Sequence, residues 1–371
     1  MSIAVGLGLS EFPFSDGRSF WKWVDLCEAG NVDSLWQTDR IVSRHPILEC
    51  ITTMAALAGG TKRIKFGMNV VSVGLRDPLL LAKQCATIDV LSGGRLLPAF
   101  GVGNSRAPEW KATSLVTKGR GKRTNEGLDI ISKLWTQDSV DYDGEYFRYR
   151  SASIQPKPVQ KNMPLWIGGS SDAAIRRTAR FGTGWQAAFE TPEEIDSIIE
   201  TIKKALVSEG RTIADDHYGA GFSYRIGSWE DPAVVVAAES YQKRLGRDAT
   251  ATFVVGQAQD IIMRISDYVD AGISKFILRP IGASNDDIFQ QTSMFIFDSQ
   301  ERNTQNGTTS IRDLPVLDTI DLVESKVSEV DNTSTTSLIT FLKSVHITIG
   351  LEGNNAYSDS LWGMLHNDCW E

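Results

Sequence analysis

The sequence is poor in the residue types that bind metals or act as nucleophiles. Only four cysteines and four histidines occur among its 371 residues, and neither type shows the short spacings that are typical of metal ligands. Three of the four cysteines lie within apolar helical patterns, which indicates buried free thiols. We therefore expect no metal site.

Long hydrophobic runs and an excess of positive charge are also missing. No segment reaches about 18 consecutive apolar residues, so we expect no membrane span. The first residues lack a basic start followed by a long apolar stretch, so we expect no secretion signal and a cytoplasmic, reduced location. The formal net charge of −8 argues against nucleic acid or an anionic membrane surface as the main partner.

The segment from 61 to 104 shows the unit from which the chain is built. Residues 64–70 predict a strand, Pro78 opens a helix with apolar residues on one face, and residues 96–100 predict the next buried strand. Apolar strands separated by a helix indicate a parallel sheet that is covered on both faces. Eight such strand–helix units fit within about 300 residues, which favours an α/β fold of the closed, eight-stranded TIM type over an open doubly wound sheet.

Two insertions interrupt the barrel pattern, and a different type of sequence follows it. Residues 104–120 predict a long loop, and residues 140–154, with a central Asp-Gly pair, predict a β-hairpin. Residues 299–371 are polar and show no alternation of strands and helices. We therefore predict a barrel domain from 1 to 298 and a C-terminal extension that is partly ordered or disordered.

Candidate site residues follow from one rule, because the active sites of β/α barrels lie at the carboxyl ends of their strands. Trp36 and Trp166 lie within predicted strands, where they either pack in the core or form a wall for a flat ring. Asp39 and Arg40 form either a surface ion pair or part of the pocket. The residues that follow predicted strands are Thr38, Asp39, Arg40, Met68, Asn69, Val70, Gly103, Asn104, Ser105, Arg106, Gly168, Gly169, Ser170, Ser171, Gln186 and Arg279.

The run Gly168-Gly169-Ser170-Ser171 lies between a predicted strand and a predicted helix. Free backbone N–H groups at such a helix start suit a phosphate, and the glycines permit its close approach. The alternative is a tight turn with a serine cap. This run is not a dinucleotide fingerprint, and residues 101–103 do not form one either, because they lack the third glycine.

The candidate residues include no recognisable catalytic group. No Ser-His-Asp order, Cys-His arrangement or pair of carboxylates stands out in the sequence. We therefore expect a bound cofactor to supply the reactive atom, while the protein supplies position and polarity.

Six segments of the sequence form a pattern whose order and spacing cover residues 1 to about 298. They are SLWQTDR (34–40), KFGMNVVSVGLRDPLLLAKQCATIDVLSGGRLLPAFGVG (65–103), RTNEGLDIISKLW (123–135), VDYDGEYF (140–147), PKPVQKNMPLWIGGSS (156–171) and RRTARFGTGWQ (176–186). Together these segments resemble the bacterial luciferase-like family of flavin-dependent oxidoreductases. The resemblance implies a β/α barrel with insertions and a flavin-type cofactor at its C-terminal mouth, either reduced FMN or the related 8-hydroxy-5-deazaflavin coenzyme.

The resemblance also implies roles for particular residues. Asn69-Val70 matches the position where the family often carries a non-proline cis peptide behind the isoalloxazine ring. Residues 168–170 match the family's phosphate loop, and residues 104–120 match a mobile insertion that covers the substrate. The first three helices commonly form a dimer interface in the family, so we expect a homodimer.

From both lines of reasoning we predict catalytic roles for Arg40, Asn69 and Arg279. Arg40 and Arg106 stand where some relatives carry a histidine and a glutamate, so the roles of those two residues do not transfer. Arg40, Arg106 and Arg279 are candidates either to bind an anionic substrate or to stabilise an anionic flavin. The predicted cofactor-binding residues are Trp36, Asp39, Met68, Asn69, Val70, Gly103, Asn104, Trp166, Gly168, Gly169, Ser170 and Ser171.

The leading functional prediction is a two-component monooxygenase. It would use O2 and reduced FMN, supplied by a separate flavin reductase, to oxidise a small organic substrate. The lack of a nicotinamide fingerprint fits a separate reductase. The alternatives are a deazaflavin-dependent oxidoreductase that transfers hydride without O2, and a flavin-binding barrel without catalytic activity.

Overall fold

The computed structural model describes residues 3–30 and 32–305, with side chains up to residue 296. The strands are β1 (Ala4–Leu9), β2 (Ser34–Gln37), β3 (Lys65–Met68), β4 (Val71–Ser72), β5 (Leu96–Leu97), β6 (Ala99–Gly101), β7 (Val140–Asp143), β8 (Arg148–Ala152), β9 (Trp166–Gly168), β10 (Gly184–Gln186), β11 (Tyr218–Ala220), β12 (Ser223–Ile226), β13 (Phe253–Gly256) and β14 (Lys275–Pro280). The helices are α1 (Gly17–Ala29), α2 (Cys50–Gly60), α3 (Pro78–Ser92), α4 (Pro108–Ala112), α5 (Arg120–Thr136), α6 (Asp172–Phe181), α7 (Pro192–Ser208), α8 (Pro232–Leu245), α9 (Ala258–Asp270) and α10 (Asn285–Gln305). Short 3₁₀ turns occur at Val73–Leu75 and Ala249–Ala251.

The parallel strands close into a barrel. β4 continues β3 after two residues, and β6 continues β5 after Pro98, so each couple acts as one barrel strand. Parallel pairing then runs through β1, β2, β3/β4, β5/β6, β9, β10, β11 and β14, and β14 pairs with β1 to complete the circle of eight. The predicted TIM-type barrel is confirmed.

Two tryptophans fill the barrel interior, together with Ala99 and Ile277. Trp36 lies opposite Gly67, where an added Cβ atom would come within 2.4 Å of the indole ring. Trp166 lies opposite Gly184, where an added Cβ atom would also lie 2.4 Å from the ring. Each indole thus occupies the space that a neighbouring glycine leaves open. Of the two roles that the sequence leaves open for these tryptophans, the structure therefore favours packing in the core.

Several element boundaries differ from the sequence-based expectations. Helix α2 begins at Cys50, because the side chain of Glu49 caps it by accepting the N–H of Thr52 at 2.7 Å. Strand β13 replaces what the sequence shows only as a short apolar segment, and it pairs in parallel with β12. Helix α10 continues to Gln305, past the predicted domain boundary at 298. The rest of the predicted extension, residues 306–371, lies outside the described residues.

Both predicted insertions are present. The segment 104–120 contains the short helix α4, whose Glu109 and Trp110 are buried. Strands β7 and β8 form the expected antiparallel hairpin. Within residues 3–305, none of the helices has the length and hydropathy needed to cross a membrane.

Candidate active site

A cavity of about 1000 Å³ opens at the carboxyl ends of the barrel strands. This volume lies within the range of cofactor and substrate pockets in proteins. The predicted catalytic residues Arg40, Asn69 and Arg279 all line it. So do six of the predicted cofactor-binding residues: Asn69, Val70, Gly103, Gly168, Gly169 and Ser171.

Val70 forms a compact apolar part of the cavity wall. The Asn69–Val70 peptide bond is cis, as the resemblance implies, and the N–H of Asn69 donates to the carbonyl of Gln37 at 2.9 Å. A Cβ atom at Gly101 would lie 2.7 Å from Val70 Cγ2, and one at Gly168 would lie 2.9 Å from Val70 Cγ1. The two glycines therefore let the valine fit closely between β6 and β9.

The start of helix α6 forms a glycine cradle, which we define as residues 168–173. Gly169 has a φ of +104°, a conformation that favours glycine. Ser171 accepts the N–H of Ala174 on its Oγ atom at 3.3 Å, whereas the N–H groups of Asp172 and Ala173 have no protein acceptor among the described residues. Free N–H groups at a helix start, beside a glycine, are a suitable site for a phosphate.

Positive side chains on α5 and α6 line the cavity together with this cradle. Arg177 is only 6% exposed, and its Nε atom donates to Asn125 Oδ1 at 2.7 Å. Desolvation lowers the pKa of Arg177, and the neighbouring charge of Arg176 lowers it further. The Nε atom of Arg120 is buried and has no acceptor in the described part of the chain. An unpaired buried donor is costly, so this side of the cavity fits an anionic group.

A second group of arginines, which we call the arginine wall, consists of Arg40, Arg244 and Arg279. All three line the cavity. Desolvation, with a smaller contribution from the charge of Arg244, lowers the pKa of Arg279 to about 10. Desolvation also lowers the pKa of Arg244, and the charge of Arg40 lowers it further. Of the expected set, Arg106 does not line the cavity, whereas Arg244, an exposed residue of α8 that the strand-end rule did not select, does.

Glu109 is a buried carboxylate next to this wall. It is 3% exposed, its Oε1 atom lies 4.0 Å from Arg40 Nη1, and its Oε2 atom has no hydrogen-bond partner in the described segments. It lines a small recess beside the main cavity, together with Asp39 and Asn104. Sequence reasoning missed Glu109 because the surrounding loop has weak periodicity.

Asp39 has a structural partner. Its two oxygens accept hydrogen bonds from Arg76 at 2.7 and 2.8 Å, and the N–H of Ser72 donates to it at 2.9 Å. Bidentate pairing of this kind fixes both side chains. Asp39 therefore ties the end of β2 to the segment after β4 and does not line the main cavity, so its predicted contact with a cofactor gains no support.

Five other predicted cofactor-binding residues, like Asp39, are not among the described residues that line the main cavity. Trp36 and Trp166 fill the barrel interior, as described above. Met68 is fully buried in the main core. The hydroxyl of Ser170 donates to Glu190, and Asn104 accepts the N–H of Arg106 on its side-chain oxygen. None of these five side chains lines the cavity, so the geometry does not support the predicted contacts with a cofactor.

Comparison with curated proteins gives two relatives with different coverage. An uncharacterised protein of Mycobacterium tuberculosis is 34% identical over 168 residues, which is 45% of this chain and 57% of that protein. The chain therefore spans little more than half the length of this relative. An F420-dependent glucose-6-phosphate dehydrogenase of Amycolatopsis mediterranei is 25% identical over 328 residues, which is 78% of this chain and 96% of that protein.

Solved structures share the fold. An F420-dependent secondary alcohol dehydrogenase, in complex with an F420-acetone adduct, aligns with a TM-score of 0.69 at 17% identity, over 80% of this chain and 98% of that chain. The oxygenating constituent of 3,6-diketocamphane monooxygenase from Pseudomonas putida, in complex with FMN, aligns with a TM-score of 0.67 at 16% identity, over 81% of this chain and 97% of that chain.

A family model described as luciferase-like monooxygenase matches residues 10–248, which is more than half of the chain. The matched region contains the Asn69–Val70 segment, the glycine cradle and all of helix α8. The chain therefore belongs to the luciferase-like monooxygenase family.

Proposed function

We propose that this protein is a flavin-dependent monooxygenase that uses reduced FMN and O2 to oxidise a small organic substrate. The observation that carries the proposal is the cavity at the barrel mouth, in which the glycine cradle and the apolar Val70 wall occur together. One feature suits a phosphate and the other suits a flat ring. Membership of the luciferase-like family supports the same type of cofactor.

The residues present fit the phosphate of FMN. The free N–H group of Ala173, which lines the cavity, would hold it together with that of the preceding Asp172, and the hydroxyl of Ser171 would add a donor. Arg120 has an unpaired buried Nε atom on the same cavity, so a bound phosphate would satisfy it. Gly169 lets the ligand approach the backbone closely.

The bound cofactor would supply the electrons that reduce O2, and this chain would supply position and exclusion of water. Residues 117–121 and helix α8 border the cavity, as does Phe189. Within the same insertion, the indole N–H of Trp110 donates to the carbonyl of Asn104 at 2.9 Å, which fixes the base of the segment. We propose that the insertion, residues 104–120, covers the cavity and keeps bulk water away during turnover.

A deazaflavin-dependent oxidoreductase is the second candidate function. The match to the F420-dependent glucose-6-phosphate dehydrogenase spans 96% of that protein, which favours this alternative. The glycine cradle would hold the phosphate of either cofactor in the same way. The two candidates differ in chemistry, because the deazaflavin coenzyme transfers hydride without O2.

Anaerobic titration of the purified protein with each reduced cofactor tests the proposal. We expect saturable binding of reduced FMN, and rapid reoxidation with substrate turnover after O2 is admitted. Preference for the reduced deazaflavin coenzyme, with no reaction with O2, would favour the second candidate. Failure of both cofactors to bind would overturn the proposal, and binding without turnover of any tested substrate would indicate a non-catalytic flavin-binding barrel.

The proposal includes two protein partners, a separate flavin reductase and a second copy of the chain. The sequence has no nicotinamide fingerprint, so NADH oxidation should require an added reductase. We expect sedimentation analysis to give the mass of a homodimer. NADH oxidation by the purified chain alone, or a monomeric mass, would contradict the corresponding part of the proposal.

A further inference from the structure

The arginine wall lies across the barrel mouth from the glycine cradle. Arg279 belongs to β14 and Arg40 follows β2, and these two strands flank β1. In the closed order of eight strands, β1 is the strand opposite β9, which leads into the cradle. The cavity thus has a positive site on each of two opposite sides, and a cofactor phosphate would occupy only one of them.

The charges of the arginine wall are poorly compensated. In the described segments no carboxylate lies within 4.0 Å of Arg244 or Arg279, and the pair between Arg40 and Glu109 is at that limit. By contrast, Arg225 pairs with both Asp231 and Asp287. Three like charges with so little compensation at one cavity are unfavourable, so they suit an anion that arrives from solution.

An unpaired buried hydroxyl adds a second, independent observation. Tyr241 lies one helical turn before Arg244 on α8, lines the same cavity, and is only 4% exposed. Its Oη atom has no hydrogen-bond partner among the described residues. A buried hydroxyl without a partner is costly, and an oxyanion beside Arg244 would accept its hydrogen bond.

The surroundings of these polar groups are apolar. Val236 and Ala237 on α8, Phe253 on β13 and Ile281 after β14 line the cavity as well. A ligand here would therefore combine an oxyanion with an apolar body. A guanidinium group recognises both carboxylate and phosphate oxygens in a bidentate manner, so either group would fit.

We infer that Arg244, Arg279 and Tyr241 bind the oxyanion of the substrate, and that the substrate is an organic carboxylate or phosphate ester with an apolar body. This inference rests on the proposed function, because it assigns the cradle to the cofactor and the arginine wall to the substrate. Arg40 adds charge from the end of β2.

Calorimetric titration of the FMN-saturated protein tests the inference, because the cradle is then occupied. The probes are phenyl phosphate and benzoate, with benzyl alcohol as the uncharged control. We expect saturable binding of at least one anion and none of the alcohol. Each of Arg244→Gln and Arg279→Gln should weaken the binding about tenfold or more, because each removes a charge-assisted hydrogen bond. Preference between the two anions would identify the carboxylate or the phosphate as the preferred group.

Matched variants separate binding from effects on folding. Lys243→Gln changes an exposed residue next to Arg244 that does not line the cavity, and it should leave anion binding unchanged. Arg279→Lys keeps the positive charge and should restore part of the affinity. Tyr241→Phe should weaken anion binding while the melting temperature of the protein is preserved.

The outcomes distinguish this inference from the proposed function. Absence of saturable anion binding, or binding that both glutamine variants leave unchanged, would overturn the inference while FMN binding stands. Weaker FMN binding in these variants with unchanged anion binding would assign the arginine wall to the cofactor and also overturn it. If FMN itself does not bind, the proposed function fails, and the same titrations on the cofactor-free protein decide the inference by the same criteria.

Discussion

The ion pair between Asp39 and Arg76 should make a large contribution to stability. The side chain of Asp39 is 3% exposed and that of Arg76 is 13% exposed. Replacement by Arg76→Met removes both guanidinium hydrogen bonds to Asp39 and the one to Glu49, which is half-exposed. The buried carboxylate of Asp39 then keeps the N–H of Ser72 as its donor. Breaking a buried pair by removing one partner costs about 3–5 kcal/mol, and the remaining Ser72 contact places this case near about 3 kcal/mol.

Urea denaturation followed by circular dichroism measures this loss, and the melting temperature should fall by about 4–5 °C. The double variant Asp39→Asn with Arg76→Met removes both charges and should recover a large part of the lost free energy. Lys204→Met is the matched control, because its pair with Glu200 is exposed, and it should cost less than about 1 kcal/mol. A loss below about 1 kcal/mol for Arg76→Met, or no recovery in the double variant, would refute the reasoning.

Three further predictions follow from other parts of the chain. Gly169→Ala should weaken binding of FMN about tenfold or more in a fluorescence titration, because alanine strains a φ of +104° at the cradle; unchanged affinity would contradict this. Arg279→Met should raise the free energy of unfolding of the cofactor-free protein by about 1 kcal/mol, because it removes an uncompensated charge whose pKa is lowered to about 10; a lower melting temperature would contradict it. Partial burial acts to raise the pKa of Glu28, but the N–H groups of Arg63 and Lys62 hold it below its usual value. A lowered carboxyl pKa stabilises the fold above the pKa of the unfolded chain, and this contribution is lost as pH falls through the folded pKa. Glu28→Gln should therefore cost about 1 kcal/mol at neutral pH, and the difference should vanish in acid; a constant difference in denaturation midpoints across pH would contradict it.

The barrel could be predicted because its signals are local. Proline at the start of α3, the capping side chain of Asp77 and the left-handed Gly93 at the end of α3 all act within a few residues, and the structure shows each of them. The carboxyl-end rule also selected Arg40, Asn69, Arg279 and the glycines of the cradle, because it depends only on the order of the strands.

The residues that sequence reasoning missed or misplaced depend on tertiary contacts. Arg244 and Tyr241 reach the cavity from a helix after β12, and no strand-end rule selects a helix face. Trp36 points into the barrel because Gly67, opposite it on the neighbouring strand, leaves space for the indole ring. The two residues are 31 positions apart in the sequence, so no local pattern shows this contact. Asp39 turns away from the cavity because Arg76, distant in sequence, pairs with it.

A crystal structure of the protein with bound FMN would show which of the two positive sites holds the phosphate. The account predicts that the phosphate of FMN lies within hydrogen-bond distance of the N–H groups of Asp172 and Ala173, with its ring against Val70. A phosphate bound at Arg244 and Arg279 instead, or FMN bound outside the barrel mouth, would contradict the account.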